Sequence, residues 1–186
     1  MKRKDLINAL GLFIGTLELK SLLFTGLLLL FGVFGYGQNI TIDNVSQSEG
    51  TNLVFTVTLD ASFGTDTTID FTTNDGTATI GDSDYTGNTN QLIIPSLALS
   101  GTITIVTGAD TKVESDETIT VLLTGTNQGT ITDNTGLGTI LNDDNAVVTI
   151  ANISGNENDG NITVTATLDN AVQGGFTVDV STADGT

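Results

Sequence analysis

The chain of 186 residues contains neither cysteine nor histidine. Without cysteine it can form no disulfide, no thiolate metal site and no cysteine nucleophile. Without histidine it lacks the commonest general base and the usual protein ligand of zinc, copper and nickel. Tryptophan is also absent, and Pro95 is the only proline. Any metal site must therefore be built from oxygen ligands.

Positive charge is almost as scarce. Five Lys and Arg residues face 22 Asp and Glu residues, which gives a net charge of −17. Four of the bases lie in the first twenty residues, and Lys112 is the only one beyond them. Such a surface repels phosphate groups, so we expect no nucleic-acid partner and no attraction to anionic membranes. It should instead concentrate cations.

The amino terminus has the layout of a signal peptide. Lys2, Arg3 and Lys4 precede an apolar run over residues 21–36, and the small residues Gly35 and Gly37 follow its core. The run is shorter than the roughly 20 residues that a membrane-spanning helix needs. We therefore predict that residues 1–37 are a cleaved leader, with an uncleaved anchor as the alternative. Both interpretations predict a secreted or cell-surface protein.

The remainder of the chain matches itself about one domain length apart. The offset is 108 between Glu49 and Glu157 (157 − 49) and 109 between Asp75 and Asp184 (184 − 75). A repeat of this length is a whole domain, because solenoid repeats are roughly 20–50 residues long. We therefore predict one module over residues 38–145 and a truncated second copy over residues 146–186.

Period-two alternation of apolar residues with threonine predicts strands. Leu53, Phe55, Val57 and Leu59 share one face of one such strand, and threonines occupy much of the other face. Similar patterns predict strands over 39–45, 67–73, 91–94, 101–106, 117–124 and 136–141. About seven strands in a domain of this size predict an all-β fold, an immunoglobulin-like antiparallel β-sandwich of two sheets.

Most acidic residues of the first module fall at strand ends and in loops. Loops of an antiparallel sandwich alternate between its two ends, so loops two strands apart can bring their side chains together. Several carboxylates at one end repel each other unless a cation lies among them. With oxygen ligands alone, the candidate is a hard divalent ion, calcium or magnesium.

Two other motif interpretations fit less well. The segment Asp82-Ser83-Asp84-Tyr85-Thr86-Gly87 has the start of an EF-hand loop, but Ile93 occupies the position of the essential glutamate. The segment Asn142-Asp143-Asp144-Asn145 resembles the linker motif of cadherins, although the other acidic motifs of a cadherin repeat are absent.

Read in order, the motifs resemble those of the Calx-beta domain family. They are Ser48-Glu49-Gly50, Asn74-Asp75-Gly76-Thr77-Ala78, Asp84-Tyr85, Glu114-Ser115-Asp116-Glu117-Thr118 and Asn142-Asp143-Asp144. The resemblance implies a seven-stranded β-sandwich that binds Ca²⁺ at one end. Carried over by position, it implies the ligands Glu49, Asp75, Asp110, Glu114, Asp143 and Asp144, with Glu117 as a further member. It also implies structural roles for Asp84 and Tyr85.

The chain departs from the family pattern at two places. Its loop reads Ala109-Asp110-Thr111 where the strongest calcium binders of the family have a run of aspartates, and Asn142 stands at the first position of the closing triplet. Both changes lower the charge of the site. We therefore expect fewer ions, or affinity toward the roughly millimolar range of extracellular modules.

In the second copy, the pattern predicts three strands over 147–150, 162–168 and 176–181. Three strands cannot close a two-sheet sandwich and leave unpaired edges. Only Asn145 separates the two copies, so Asp143 and Asp144 lie at their junction. A cation bound there would offset repulsion between the copies and stiffen the joint.

These features predict a non-enzymatic, calcium-binding extracellular module that acts as a spacer or adhesion unit. Its expected partners are calcium ions, neighbouring repeats of the same chain and an unidentified adhesion ligand. The alternatives are a metal-free structural stalk and an accessory repeat of a secreted enzyme. The chain itself offers no aromatic platform for a carboxylate pair acting on glycosides, since aromatic residues make up 5% of it.

Overall fold

The structure, a computed structural model, describes residues 38–184 except for the side chain of Asp159. The predicted signal peptide lies outside the described residues. Gln38–Thr186 form one compact unit. Within residues 38–184 there is no helix of the length and hydrophobicity that a membrane crossing needs.

Eleven strands and one 3₁₀ turn make up the regular structure of the described residues. The strands are β1 (Asn39–Ile42), β2 (Val45–Ser48), β3 (Leu53–Leu59), β4 (Thr67–Asp75), β5 (Thr89–Ile94), β6 (Ser100–Ile105), β7 (Glu117–Thr126), β8 (Thr130–Ile131), β9 (Thr135–Leu141), β10 (Val148–Ile150) and β11 (Ala166–Leu168). The 3₁₀ turn covers Glu157–Asp159.

Strands β1 to β9 form two packed sheets. The first has the order β6-β3-β1-β8 and the second the order β2-β9-β7-β4-β5. The predicted all-β sandwich is confirmed. Most neighbouring strands are antiparallel, but β1 pairs with β8 and β2 pairs with β9 in parallel.

The core lies between the sheets and follows the alternation of the sequence. Leu53, Phe55 and Val57 of β3 are fully buried, and Ile69 and Ile119 contribute to the same core from the other sheet. The ring of Phe55 lies over a glycine-containing stretch of β9. A Cβ atom on Gly138 would lie 2.9 Å from the ring atom Cζ of Phe55, so only glycine leaves room for the ring there.

The first predicted strand, over residues 39–45, is instead two strands in different sheets. The chain changes sheet at Asp43 and Asn44, whose side chains replace the missing strand partners. Asp43 Oδ1 accepts the backbone N–H of Thr56 at 2.6 Å, and Asn44 Oδ1 accepts that of Leu137 at 2.7 Å. These short polar side chains satisfy the donors that the sheet change leaves unpaired.

The second copy forms less structure than predicted. In its described residues only β10 and β11 are strands, and they pair antiparallel with each other. The predicted strand over 176–181 is wrong, because these residues form no strand and Phe176 is 50% exposed. A strand needs a hydrogen-bonded neighbour and a surface to pack on, and the described residues of this copy supply neither to residues 176–181.

Candidate metal centre

The acidic loops lie at one end of the sandwich. Strand pairing brings Ser48 beside Leu141, Glu117 beside Ile140 and Leu53 beside Ile105. β2, β6 and β9 therefore end where β3 and β7 begin. We call this the acidic end, because Glu49, the loop from Asp110 to Glu117, and Asp143 with Asp144 all lie next to these strand ends.

Three carboxylates from three separate segments meet at the acidic end. Glu49, Asp110 and Asp144 each offer an oxygen, and these oxygens lie within 4.8 Å of one another. We call them the Glu49 group. Glu49 directly follows β2, and its backbone N–H donates to Leu141 O at 3.1 Å. This bond holds Glu49 against the end of β9, close to Asp144.

The electrostatics of the Glu49 group are those of crowded anions. Burial raises the pKa of Glu49, and the charges of Asp144 and Asp110 raise it further. Hydrogen bonds from the backbone of Asp110 and Asp143 act in the opposite direction. Asp144 Oδ2 is buried and has no hydrogen-bond partner. A buried carboxylate oxygen without a partner is costly, and a bound cation would remove that cost.

A second set of carboxylates lies beside the first. Asp84, Glu114 and Glu117 each offer an oxygen within 4.8 Å of the others. We call them the Glu117 group. Glu117 is only 9% exposed. Burial, the charges of Asp84 and Glu114 and a hydrogen bond with Asp84 raise the pKa of Glu117 to about 7, against a weaker opposing hydrogen bond from Gln173.

The loop between β6 and β7 is held by a hydrogen bond within it and by another to Asn142, which follows β9. Asp110 Oδ1 accepts the N–H of Lys112 at 2.7 Å, and Asn142 Oδ1 accepts the N–H of Glu114 at 2.8 Å. The ammonium group of Lys112 forms an ion pair with Glu114. Lys112 is the only base after residue 20, so the Glu117 group holds the one cationic side chain available to the sandwich.

Gly108 joins the loops that carry the two groups. Its N–H donates to Asp84 O at 2.8 Å, and its carbonyl oxygen accepts the N–H of Gly50 at 2.5 Å. A Cβ atom on Gly108 would collide with Ser83 O. Any larger residue would push the Asp84 loop away from the Glu49 loop.

A cavity of about 70 Å³ lies between the groups and is lined by Glu49, Asp84, Asp110, Glu114 and Glu117 among others. One water needs roughly 10–15 Å³, so the cavity has room for an ion with some of its water.

The structure brings together five of the seven predicted ligands: Glu49, Asp110, Glu114, Glu117 and Asp144. Asp75 belongs to neither group. Its Oδ1 accepts the hydroxyl of the buried Tyr85 at 2.7 Å and the N–H of Ile80 at 3.2 Å. Asp143 is exposed and reaches Glu49 through its backbone, not its side chain.

The predicted role of Asp84 is structural, yet its carboxylate belongs to the Glu117 group. Asp84 also has a structural role, because its Oδ2 accepts the N–H of Thr79 at 2.7 Å. The pair Asp82-x-Asp84 places this residue in an acidic turn, which the sequence does show. Its approach to Glu117 depends on how the loop folds back along β6, which the sequence does not show.

The comparison with known families decides the classification of the chain. The sequence profile of the Calx-beta domain matches residues 40–154 and again residues 142–186. The chain belongs to the Calx-beta domain family. Calx-beta domains are β-sandwiches of a calcium-binding type, and the fold described above agrees with this assignment. No curated protein sequence matches the chain significantly.

Solved Calx structures share the fold. The apo-form Calx CBD1 domain superposes with a TM-score of 0.52 at 20% identity, over 59% of this Calx-beta chain and 100% of that one. The calcium binding domain CBD12 of CALX1.1 gives a TM-score of 0.51 at 20% identity, over 59% and 49%. The Calx CBD2 domain gives 0.50 at 13% identity, over 55% and 85%. This chain thus spans about half the length of the CBD12 structure.

Proposed function

We propose that the chain is an exported Calx-beta module that binds calcium at its acidic end and serves as a spacer or adhesion unit of a secreted or cell-surface protein. The observation that carries the proposal is the Glu49 group. Three carboxylates that are distant in sequence converge to within 4.8 Å. A divalent cation among them would offset their mutual repulsion.

The chemistry of the donors favours calcium. All six side chains of the two groups are carboxylates. Calcium accepts roughly 6–8 oxygen ligands in loose geometry, whereas magnesium demands a tighter octahedron and retains its water more strongly. The related CBD12 structure is described as a calcium binding domain. The partnerless Asp144 Oδ2 marks the point where an ion would fit.

The two groups are expected to differ in affinity. The Glu117 group carries Lys112 on Glu114, and burial raises the pKa of Glu117 to about 7, so this carboxyl is still partly protonated near neutral pH. Both positive charges compete with an added ion. The Glu49 group contains no base, so it is the principal calcium site of the proposal. This difference agrees with the expectation of fewer ions than in the strongest binders of the family.

The acidic end also contacts the second copy. The N–H of Val113 donates to Ala171 O at 2.8 Å, and the N–H of Gln173 donates to Val113 O at 2.9 Å. Val113 lies in the loop between Asp110 and Glu114. An ion that orders this loop would therefore also strengthen its contact with the neighbouring repeat. This supports the role of a spacer whose stiffness depends on calcium.

Export and a non-enzymatic role complete the proposal. The predicted leader supports an extracellular location, where calcium is abundant. Six of the twelve residues that line the described cavity are acidic, which suits the binding of an ion. Neighbouring repeats and an adhesion ligand are the proposed partners.

Calorimetric titration of residues 38–186 with calcium tests the proposal. We expect binding in the wild type and loss of the principal site in Asp110→Asn/Asp144→Asn. A charge-matched control, Asp133→Asn/Asp179→Asn, changes two acids outside both groups and should bind as the wild type does. Equal thermal midpoints in calcium and in chelator, with no heat of binding, would instead favour the metal-free stalk.

A further inference from the structure

The parallel pairing of β2 with β9 determines how the sandwich carries load. Four residue pairs join the two strands, from Val45 beside Gly138 to Ser48 beside Leu141. Both strands run toward the acidic end. The chain therefore enters the sandwich at Gln38, at the end opposite the acidic one, and leaves it after Leu141 at the acidic end.

Tension between the two chain ends acts along these strands in opposite directions. It draws β1 and β2 away from the acidic end and draws β9 out through it. The hydrogen bonds between β2 and β9 are then loaded together, because the strands must slide past one another before any bond is free. The parallel pair of β1 with β8 is loaded in the same way.

We propose that β2 and β9 form a force-bearing shear clamp, and that a cation held by Glu49 and Asp144 fastens its acidic end. The first half rests on topology alone, and the second half rests on the proposed calcium function.

The position of the two acids supports the second half. Glu49 is the first residue after β2, and Asp144 is the third after β9. Their carboxylate oxygens lie within 4.8 Å of each other. An ion between them would join the ends of the two strands that shear separates. The backbone bond from Glu49 N–H to Leu141 O, 3.1 Å long, lies at the same place.

The second copy provides a natural contrast. β10 and β11 are antiparallel, and Val148, the first residue of β10, lies beside Leu168, the last residue of β11. Tension along the chain pulls this pair apart from one end, so that its bonds break one after another. The clamp thus belongs to the sandwich and not to the β10–β11 pair.

Single-molecule pulling of residues 38–186 in chelator tests the clamp. Since the chain has no cysteine, introduced cysteines define the attachment points. In the shear geometry, force acts between a tag before Gln38 and Asn145→Cys. In the unzipping geometry, it acts between Thr51→Cys and Asn145→Cys, both at the acidic end. We expect a higher rupture force in the shear geometry. Equal forces would overturn the clamp.

A proline pair locates the load on β2. The N–H of Glu49 points at β9, and the N–H groups of alternate residues in a strand point to the same side. The N–H of Gln47 therefore faces β9. The N–H of Ser46 faces outward, because β2 is the edge strand of its sheet. Gln47→Pro should lower the shear rupture force, whereas Ser46→Pro should leave it near the wild-type value. Equal effects of the two would overturn the assignment to β2–β9. If Gln47→Pro does not fold, the two geometries of the otherwise unchanged chain decide.

Pulling in the presence of calcium tests whether a cation held by Glu49 and Asp144 strengthens the clamp. We expect calcium to raise the rupture force in the shear geometry and Glu49→Gln to lose this increase. If calcium raises the thermal midpoint but not the shear force, the fastening is overturned and the proposed function stands. If calorimetry detects no calcium binding, the fastening falls together with the proposed function, while the comparison in chelator still decides the clamp.

Discussion

The sandwich and the second copy contain the same pattern in different surroundings. Phe55 in β3 corresponds to Val164 at the repeat offset of 109 (164 − 55). Phe55 is fully buried, whereas Val164 is 50% exposed and lies outside any strand. Alternation of apolar residues therefore yields a packed strand only where a second sheet covers it.

The acids show the same contrast. Glu49 lies against Leu141 and close to Asp110 and Asp144, because β2 pairs with β9. Its counterpart Glu157 is exposed in a 3₁₀ turn and belongs to neither carboxylate group. The motif supplies a carboxylate, but the strand topology makes it a candidate ligand.

Truncating the core residue should have the largest effect. We expect Phe55→Ala to lower the free energy of unfolding by about 3–5 kcal/mol, through lost burial and the cavity left between the sheets. Val164→Ala, its counterpart in the second copy, should change it by no more than about 0.5 kcal/mol. Chemical denaturation of residues 38–186 measures both. A large loss for Val164→Ala would mean that the second copy shares the core.

The second-largest effect should be the change of the free energy of unfolding of the metal-free protein with pH. The pKa of Glu117 is raised from 4.5 to about 7 in the folded state. The folded state therefore binds this proton more tightly than the unfolded state, and its contribution is present below pH 4.5 and lost as the pH rises to 7. We expect the free energy of unfolding in chelator to fall by roughly 2 kcal/mol over this interval.

Glu117→Gln is the control for this slope, because an amide does not titrate. Denaturation at a series of pH values should show a flatter profile for this variant than for the wild type. An unchanged slope would assign the pH dependence to other groups. In the wild type, calcium binding at the Glu117 group should become tighter as the pH rises through about 7, since an ion there requires the deprotonated carboxylate of Glu117.

Neutralising Glu49 should weaken calcium binding, whereas neutralising its counterpart Glu157 in the second copy should not. If Glu49→Gln weakens calcium binding about tenfold, the stabilisation that saturating calcium gives falls by about 1.4 kcal/mol. Glu157→Gln should leave it unchanged. Thermal midpoints with and without calcium measure both variants. Equal losses would show that the Glu49 group is not the principal site.

The contact between the copies should have the smallest effect. Gln173→Ala removes the side chain that hydrogen bonds to Glu117, and we expect a loss of about 1 kcal/mol at most. Hydrogen exchange should report it as faster exchange of the Val113 and Gln173 amides. The matched control is Asn161→Ala, at an exposed position of the same copy, which should leave both amides unchanged. Equal exchange rates in the two variants would show that the Gln173 side chain does not hold the copies together.

Strands that bury one face were predictable from the sequence. Leu53–Leu59 has the predicted bounds, and the other strands of the sandwich after β2 lie close to theirs, except for the short β8. The sheet change at Asp43 and Asn44 was not predicted, because it depends on side chains bonding to Thr56 and Leu137, which are distant in sequence. Local patterns do not contain such long-range bonds.

For the candidate site, the sequence predicted the contributing loops but not the position of every side chain. The order of motifs identified the loops, and five of the implied ligands converge. Asp75 ends β4 and Asp84 lies in the connection to β5, but Asp75 accepts a hydrogen bond from Tyr85 whereas Asp84 joins the Glu117 group. Which of two nearby aspartates faces the cavity depends on loop geometry that spacing alone does not determine.

The position of Tyr85 has a practical consequence. It is the only tyrosine after residue 36, and the chain has no tryptophan, so the tyrosine emission of residues 38–186 originates from this one phenol. Its hydroxyl donates to Asp75, and it directly follows Asp84 of the Glu117 group. The protein thus carries its own optical reporter beside the carboxylates, without any introduced label.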